Sequence, residues 1–503
     1  MSEPFDLVVV GGGPGGAALA TIVAMTGGRV LLLERERFPR YQIGESLMVS
    51  TVQGICRTLG VWDEVHSAGF VKKPGGVFRW GHGPDLWTLS FTQARQLDAV
   101  GGNYAFHVER SVFDQILLEN ARRKGVRVCT GNTVERVARK GDGVSVVVYR
   151  DEFDTIRTVH AQFVADASGH GSRFHRLVGR RVFSQFFRNI AVFCYFEGAD
   201  RLPAPLEGGG ITEAFADGWV WFLPLSSTLT SVGAVVGADR TRQLQSDRER
   251  TMLDALRQCP HVHGLLTRAT RVTEGPYGQV RIRTDFSYTN ERFWRPGLVL
   301  VGDAACFIDP LFTTGVHLAT YSALLAARSI NSVLLDGVDE ETAFNEFEYR
   351  YRLEFELFYN FALAFYDMHV EGDAEHGFWA SRKVARTPEI HNDEFVRLLT
   401  NGSDAARDYF KAKRGIGEAA QQYVLQLKKA RSAQEHIAIS RAMAEHIHGT
   451  YRPPSGPRPF HMGFEDIRTM SWGRASAENR GDAMHATTRP LVPSDCGLRW
   501  RAA

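Results

Sequence analysis

The stretch FDLVVVGGGPGGAALATIVAMTGGRVLLLE, residues 5–34, constrains the fold more than any other part of the chain. FDLVVV is an unbroken apolar run, as expected of a parallel strand buried on both faces. GGGPGG follows at once, then a run of small and apolar residues suited to a helix packed on a sheet, then the strand RVLLLE. Gly11, Gly13 and Gly16 stand in the spacing G-x-G-x-x-G, and Glu34 closes the second strand. That spacing is weak evidence alone and much stronger between a strand and a helix. Glycines permit a tight turn and close approach of backbone to a pyrophosphate, while the helix N-terminus supplies free N–H groups and positive potential. An acidic residue at the end of the second strand can accept hydrogen bonds from ribose hydroxyls. The segment therefore predicts an α/β fold of Rossmann type that binds a dinucleotide.

The rest of the chain alternates between two patterns. RSVFDQILLENARRKG reads as a helix, RVCTGNTVERVARKGDGVSVVVYR as a small antiparallel layer, and FVADASG as a short buried strand ending in a turn. From about 183 to 290, FRNIAVFCYFEG, GWVWFLPL and TSVGAVVG read as strands of a broad antiparallel sheet. LVLVGDAACFIDP returns to the parallel pattern, and the chain after about 316 is mainly helical, including 404–448. The expected organisation is a dinucleotide-binding module over 1–350 with the antiparallel sheet interleaved, a helical region over 351–455, and a loosely ordered tail over 456–503 rich in Pro, Gly, Arg and Ser.

Bulk properties exclude several classes. Lys plus Arg is 59 and Asp plus Glu is 57, a balance that gives nucleic acid no basic surface. The six cysteines, Cys56, Cys129, Cys194, Cys259, Cys306 and Cys496, show no zinc spacing and read as free thiols of a cytoplasmic protein. No metal site is expected; His446 and His448 read as solvent-facing. The chain runs straight into a strand, which argues against a signal peptide, and the longest apolar run, near 17–25, is too short to cross a membrane.

Two further features point to FAD as the dinucleotide. Gly302-Asp303 in VGDAACFIDP lies far from the first glycine motif and provides the second contact that an extended dinucleotide needs, with Asp303 on the ribityl chain. Arg110 opens a helix within reach of the cofactor, and ADASG carries Asp166. Together these elements resemble the p-hydroxybenzoate hydroxylase-like fold shared by class A flavoprotein hydroxylases and flavin-dependent halogenases. No second glycine motif for NADPH is present.

Three stretches resemble the halogenases more narrowly. Trp219-Val-Trp221-Phe-Leu223-Pro224 is similar to their W-x-W-x-I-P signature, with Leu for Ile. Residues two apart on a strand point to one face, so both indoles project together. GFVKKPGGVFRWG, residues 69–81, resembles the segment carrying the halogenase lysine. The distance to Gly75-Gly76 selects Lys73, with Lys72 as the fallback. DPLFTTGVH, residues 309–317, resembles the loop whose amides hold the halide, which implies Thr313, Thr314 and Gly315 as halide ligands. Gly44-Glu45-Ser46 matches a flavin-contacting segment. The resemblance covers about residues 4–400 and is nearest to the chondrochloren type, which acts on phenolic, often carrier-tethered, substrates.

The resemblance implies FADH2, oxygen and chloride as inputs, with hypochlorous acid guided to Lys73 and an electron-rich ring as the acceptor. It implies a separate flavin reductase as partner, and tyrosine or 4-hydroxyphenylglycine on a peptidyl carrier or peptide as substrate, in natural-product biosynthesis. Trp219 and Trp221 would form the wall between flavin and ring. Phe312 stands where tryptophan halogenases carry a glutamate, which favours a phenol whose own hydroxyl activates the ring; no general base is evident. Each feature alone also has a plainer reading. W-x-W is common core packing, Lys72-Lys73 an ordinary surface pair, and Thr-Thr-Gly an ordinary turn. The lysine-rich stretch near 411–429 reads as a solvated face, with docking of an acidic carrier as the alternative. For the whole protein, the alternative is an aromatic hydroxylase using NADPH.

Overall fold

The computed structural model describes residues 4–80, 86–91, 103–141, 143–184, 186–284, 287–370, 377–381, 491–494 and 496–502. Its first sheet runs, edge to edge, through Trp294–Arg295, Leu298–Leu300, Ile156–Asp166, Phe5–Val10, Val30–Glu34 and Arg127–Thr130. Phe5–Val10 lies at its centre, parallel to both neighbours, with Val8 opposite Leu31 and Val164. Burial on both sides explains its lack of apolar alternation. The strand Ile156–Asp166 has two partners along its length. Its first half pairs antiparallel with Ser145–Arg150, and its second half runs parallel to Phe5–Val10. Of the segment read as one antiparallel layer, Arg127–Thr130 instead joins the main sheet in parallel.

The second sheet is ordered Thr270–Arg271, Asn189–Glu197, Leu229–Gly237, Gly218–Pro224, Gly210–Phe215, Gly75–Arg79 and Trp87–Ser90, with Arg281–Thr284 also on Asn189–Glu197. It is antiparallel except where Gly75–Arg79 runs parallel to Gly210–Phe215. Two of its strands therefore come from upstream of the expected 183–290 block. The sheet is covered on both sides. Val220, Phe222, Val192 and Ala234 pack with Met252 and Leu256 of the helix Arg248–Arg257. Trp219, Trp221, Phe193 and Val235 face the main core. Alternation along the strand Gly218–Pro224 thus assigns the indoles to the side of the sheet that faces the main core.

Two long helices close that core, Gly315–Asp336 and Glu340–Val370. The first is long and apolar enough to cross a membrane by length and composition. Its polar interruptions are buried among protein groups, and it packs between the N-terminal helix Pro14–Met25 and Glu340–Val370. The end of the expected tail is packed rather than loose: Leu491–Pro493 and Trp500–Ala502 form an antiparallel pair. Trp500 is buried, its indole N–H donates to Ser329 Oγ at 2.9 Å, and Arg328 Nε donates to the Gly497 carbonyl at 2.7 Å. The expected helix over 404–448, the 411–429 stretch, His446, His448 and the remainder of the tail lie outside the described residues. All six cysteines are free, and no metal-binding cluster occurs among the described residues.

Candidate active site

The glycine turn forms a cradle that side chains would fill. Gly11 has φ +104°, and a Cβ there would meet the Ala167 carbonyl oxygen at 2.4 Å; at Gly16 it would meet the Gly11 oxygen at 1.9 Å. Gly13 caps the helix Pro14–Met25 through its backbone alone, so N–H groups of the first turn remain free for an anion. Glu34 is buried and held by two backbone donors, Gly12 N–H at 2.6 Å and Glu36 N–H at 2.8 Å. Asp166 turns into its own loop, accepting from Ser168 N–H and from the Ser168 and Ser172 hydroxyls. Its carboxylate shapes the turn that meets Gly11 rather than offering a free acceptor.

Arg110 heads the helix Arg110–Arg123 and forks onto Asp114, with Nε and Nη2 at 2.7 and 2.9 Å. Its Nη1 donates to the carbonyls of Ile43 and Gly44. The arginine therefore anchors the Gly44-Glu45-Ser46 segment. Arg40, which sequence reasoning passed over, bridges to Asp114 at 3.2 Å and brings Nη2 to the Gly13 position. Gly302 has φ +61°, and its N–H is fixed by Ser322 Oγ at 2.9 Å. Burial raises the Asp303 carboxyl to about 6 against the pull of Arg110, Arg283 and Arg181. Glu45 is raised to about 7 by burial, and it accepts from Tyr195 OH at 2.6 Å, which in turn meets Tyr41 OH at 2.7 Å. Tyr195 and Tyr41 carry no sequence signal beyond their type. A glycine cradle, an uncapped helix and an aspartate beside a left-handed glycine far along the chain fit FAD.

Lys73 gathers the remaining motifs. It is 8% exposed, and Nζ donates to Ser46 Oγ at 2.8 Å, the Leu47 carbonyl at 3.3 Å and Thr313 Oγ1 at 3.4 Å. One ammonium thus touches both the flavin-type segment and the halide-type loop. Burial lowers it to about 8, and among the described residues no carboxylate offsets the desolvation. Lys72 points to the opposite face and lies over the Tyr104 ring. In the loop, Thr313 adopts φ +57°, and Thr314 precedes the helix Gly315–Asp336 without side-chain capping. Thr314 Oγ1 is buried and has no hydrogen-bond partner among the described residues. Free helical N–H groups beside an idle hydroxyl can hold an anion.

The two tryptophans are buried, with ring centroids 6.1 Å apart. Trp221 lies over Gly233, where a Cβ would come within 2.1 Å of its ring, and its N–H reaches Ser231 Oγ at 3.3 Å. Trp219 sits among Trp80, Tyr366 and the Gly233 strand's neighbours on the core side. Its N–H donates to Tyr366 OH at 2.6 Å, and Tyr366 OH donates to Asp309 Oδ2 at 3.0 Å. Asp309 also accepts from Leu311 N–H at the start of the halide-type loop. Both plain packing and a tie to that loop are therefore present in one residue. Phe312 packs edge-on against Phe365 at 5.1 Å.

The tryptophan halogenase family matches residues 6–101 and 95–416 of the chain. A tryptophan 2-halogenase from Chondromyces crocatus is 33% identical over 383 residues, covering 75% of this chain and 70% of that protein. A pyrrole-2-carbonyl peptidyl-carrier-protein chlorinase from Pseudomonas fluorescens is 28% identical over 386 residues, covering 73% of this chain and 84% of that one. Among solved structures, the myxobacterial chondrochloren halogenase superposes with a TM-score of 0.74 at 49% identity, covering 84% of this chain and 97% of that chain.

Proposed function

Because this chain belongs to the tryptophan halogenase family of flavin-dependent halogenases, we propose that it chlorinates a phenolic ring presented on a carrier protein or peptide, with Lys73 delivering the chlorine. Family membership decides against the hydroxylase alternative, and FAD is the cofactor. The observation that carries the proposal is the position of Lys73, hydrogen-bonded to Ser46 and Thr313 at once. Gly11, Gly13 and Gly16 would receive the pyrophosphate, Glu34 the adenosine ribose and Asp303 the ribityl chain, with Arg110 fixing Gly44-Glu45-Ser46 against them. Asp166 would act indirectly, through the turn. When bound, the reduced flavin supplies the electrons with which oxygen and chloride become hypochlorous acid.

Thr313, Thr314 and Gly315 would hold the chloride by amides and a hydroxyl, which suits an ion with no directional demand. The Lys73 ammonium would bind hypochlorous acid and polarise its Cl–O bond. Trp219 and Trp221 would separate the ring from the flavin. The named relatives act on tryptophan and on a carrier-bound pyrrole, so electron-rich rings are the common class. Phe312 removes a carboxylate from the loop and favours a ring that carries its own activating hydroxyl. The reduced flavin would come from a separate reductase.

The test supplies purified enzyme with a flavin reductase, oxygen and chloride, and offers tyrosyl and pyrrolyl carrier proteins and free tryptophan in parallel. Mass spectrometry should show chlorine on the tyrosyl carrier, and Lys73→Ala should abolish it while FAD binding persists. Chlorination of only the pyrrole or tryptophan would overturn the phenol assignment. Full activity in Lys73→Ala would overturn the role of the lysine.

A further inference from the structure

His107 is fully buried, and neither ring nitrogen has a hydrogen-bond partner among the described residues. A neutral imidazole carries one donor and one acceptor, and buried polar side chains are paired in the large majority of cases. An imidazole idle at both nitrogens in a packed interior points to a polar group that arrives from outside the chain. The surroundings hold the ring neutral: burial acts first, and the positive charges of Lys73 and Arg201 add to it. A neutral ring keeps a lone pair free to accept a proton.

Its position follows from strand register. Ala105–His107 pairs antiparallel with Val71–Lys73, with Ala105 opposite Lys73 and His107 opposite Val71. Opposed residues share a face, and so do alternate residues along each strand. Lys73 and His107 therefore project to the same side as diagonal neighbours, and Lys72 and Phe106 take the other. The backbone of His107 also bridges to Ser46, whose hydroxyl holds Lys73.

The second sheet completes the setting. A Cβ on Gly210 would lie 3.3 Å from His107 Cε1 and Nε2, and 2.7 Å from Leu223. Thr212 pairs with Trp221 and Ala214 with Trp219, so Gly210, two residues before Thr212, lies on the indole face. Leu223, two residues after Trp221, lies there too. His107 thus stands where the tryptophan face ends and the lysine begins, with bare glycine backbone against the ring.

We propose that His107 is a catalytic residue that receives the hydroxyl of the aromatic substrate, turns the ring toward Lys73 and takes the hydroxyl proton. This rests on the reading of a phenolic ring and of Lys73 as the holder of hypochlorous acid. As the O–H proton passes to the imidazole, the oxygen pair moves into the ring, and a ring carbon forms its bond to chlorine. The Cl–O bond breaks, and the departing hydroxide takes a proton from the Lys73 ammonium and leaves as water. The ring then loses its C–H proton to the neutral lysine, restoring the ammonium. The imidazolium returns its proton to the oxygen, leaving a chlorophenol. The sum is phenol plus hypochlorous acid to chlorophenol plus water. Once the ammonium is restored, the negative oxygen of the ring lies against the imidazolium until its proton returns, which offsets the two neighbouring positive charges.

The experiment compares 4-methylphenol with 4-methylanisole, which cannot donate a hydrogen bond, by calorimetric titration into FAD-loaded enzyme. Wild type should prefer the phenol by about tenfold, the worth of one hydrogen bond. His107→Phe should erase that preference and lower phenol chlorination by about 100-fold, the usual scale for a lost proton acceptor. FAD affinity should be unchanged. His107→Gln, which keeps an acceptor, should retain the binding preference and still lose the rate. Should His107→Phe fail to fold, a wild-type rate in His107→Gln overturns the proposal and a lost rate with intact binding supports it. Retained preference in a folded His107→Phe, or weakened FAD binding in either variant, also overturns it. The underlying reading fails differently: wild type itself would then chlorinate pyrrole or indole and no phenol, and the assignment would fall with it.

Discussion

Replacing Lys73 with methionine should leave stability about unchanged at neutral pH, lower it at alkaline pH, and abolish chlorination. Burial lowers the ammonium from 10.5 to about 8. In the folded state the charged form is thus disfavoured by about 3 kcal/mol at neutral pH relative to a solvated lysine. That cost is fully present below about pH 8. Between about 8 and 10.5 the folded protein has released the proton and the unfolded chain still holds it, so stability rises with pH there. Methionine has a similar shape and no charge to desolvate. It forfeits the hydrogen bonds from Nζ to Ser46, Leu47 and Thr313, worth about 1 kcal/mol each. The two terms nearly cancel, so stability at pH 7 should be about unchanged. At about pH 9.5 most of the burial cost has gone, and the difference between variant and wild type should move by about 2 kcal/mol, leaving the variant less stable by about that amount.

Urea denaturation of both proteins at the two pH values reads this directly, and the change in their difference is independent of the hydrogen-bond term. A difference that stays constant between pH 7 and 9.5 would refute the reasoning, because it would mean that Lys73 titrates as a solvated or paired lysine. In that case its contact with the halide-type loop would be incidental to its charge.

Three further outcomes are expected. If the ammonium polarises the Cl–O bond, chlorination at constant reduced-flavin supply falls as pH rises through about 8, and a flat profile to about 9.5 rejects that role. Gly16→Ala places a Cβ 1.9 Å from the Gly11 carbonyl oxygen and should weaken FAD binding by about 100-fold or more, measured by flavin fluorescence. Gly233→Ala drives a methyl into the Trp221 ring at 2.1 Å and should cost about 1–3 kcal/mol, with a shift in tryptophan emission.

The dinucleotide half was legible in the sequence because its information is local. Strand, glycine turn, helix and acidic residue fall within thirty residues of one another, from Phe5 to Glu34, and each has its own backbone requirement. The upstream strands Gly75–Arg79 and Trp87–Ser90, which pair antiparallel with each other, were not legible as part of the second sheet, because Gly75–Arg79 joins it through Gly210–Phe215, far away in the chain, and parallel pairing leaves no hairpin signal. His107 was passed over for a related reason. AFH is an ordinary short strand; only its pairing with Val71–Lys73 reveals that the histidine shares a face with the lysine.

The same distance effect governs the tryptophans. Composition offered either core packing or a wall, and the two were set against each other as rivals. Trp219 is packed as a core residue is, and its indole N–H is also the first link of a chain through Tyr366 to Asp309, which holds the amide of Leu311 ahead of Thr313. Asn189 Nδ2 also donates to Tyr366 OH at 3.2 Å and to Asp309 Oδ2 at 2.8 Å, so the indole is one donor of a buried polar network through which a displacement of the sheet face reaches the loop proposed to hold the halide. Phenylalanine at 219 would keep the packing and remove the indole donor to Tyr366 OH. That substitution should therefore raise the chloride requirement more than it raises the requirement for the aromatic substrate. A wall that only excluded the ring would give the reverse order, so the two kinetic constants separate what the residue type alone leaves merged.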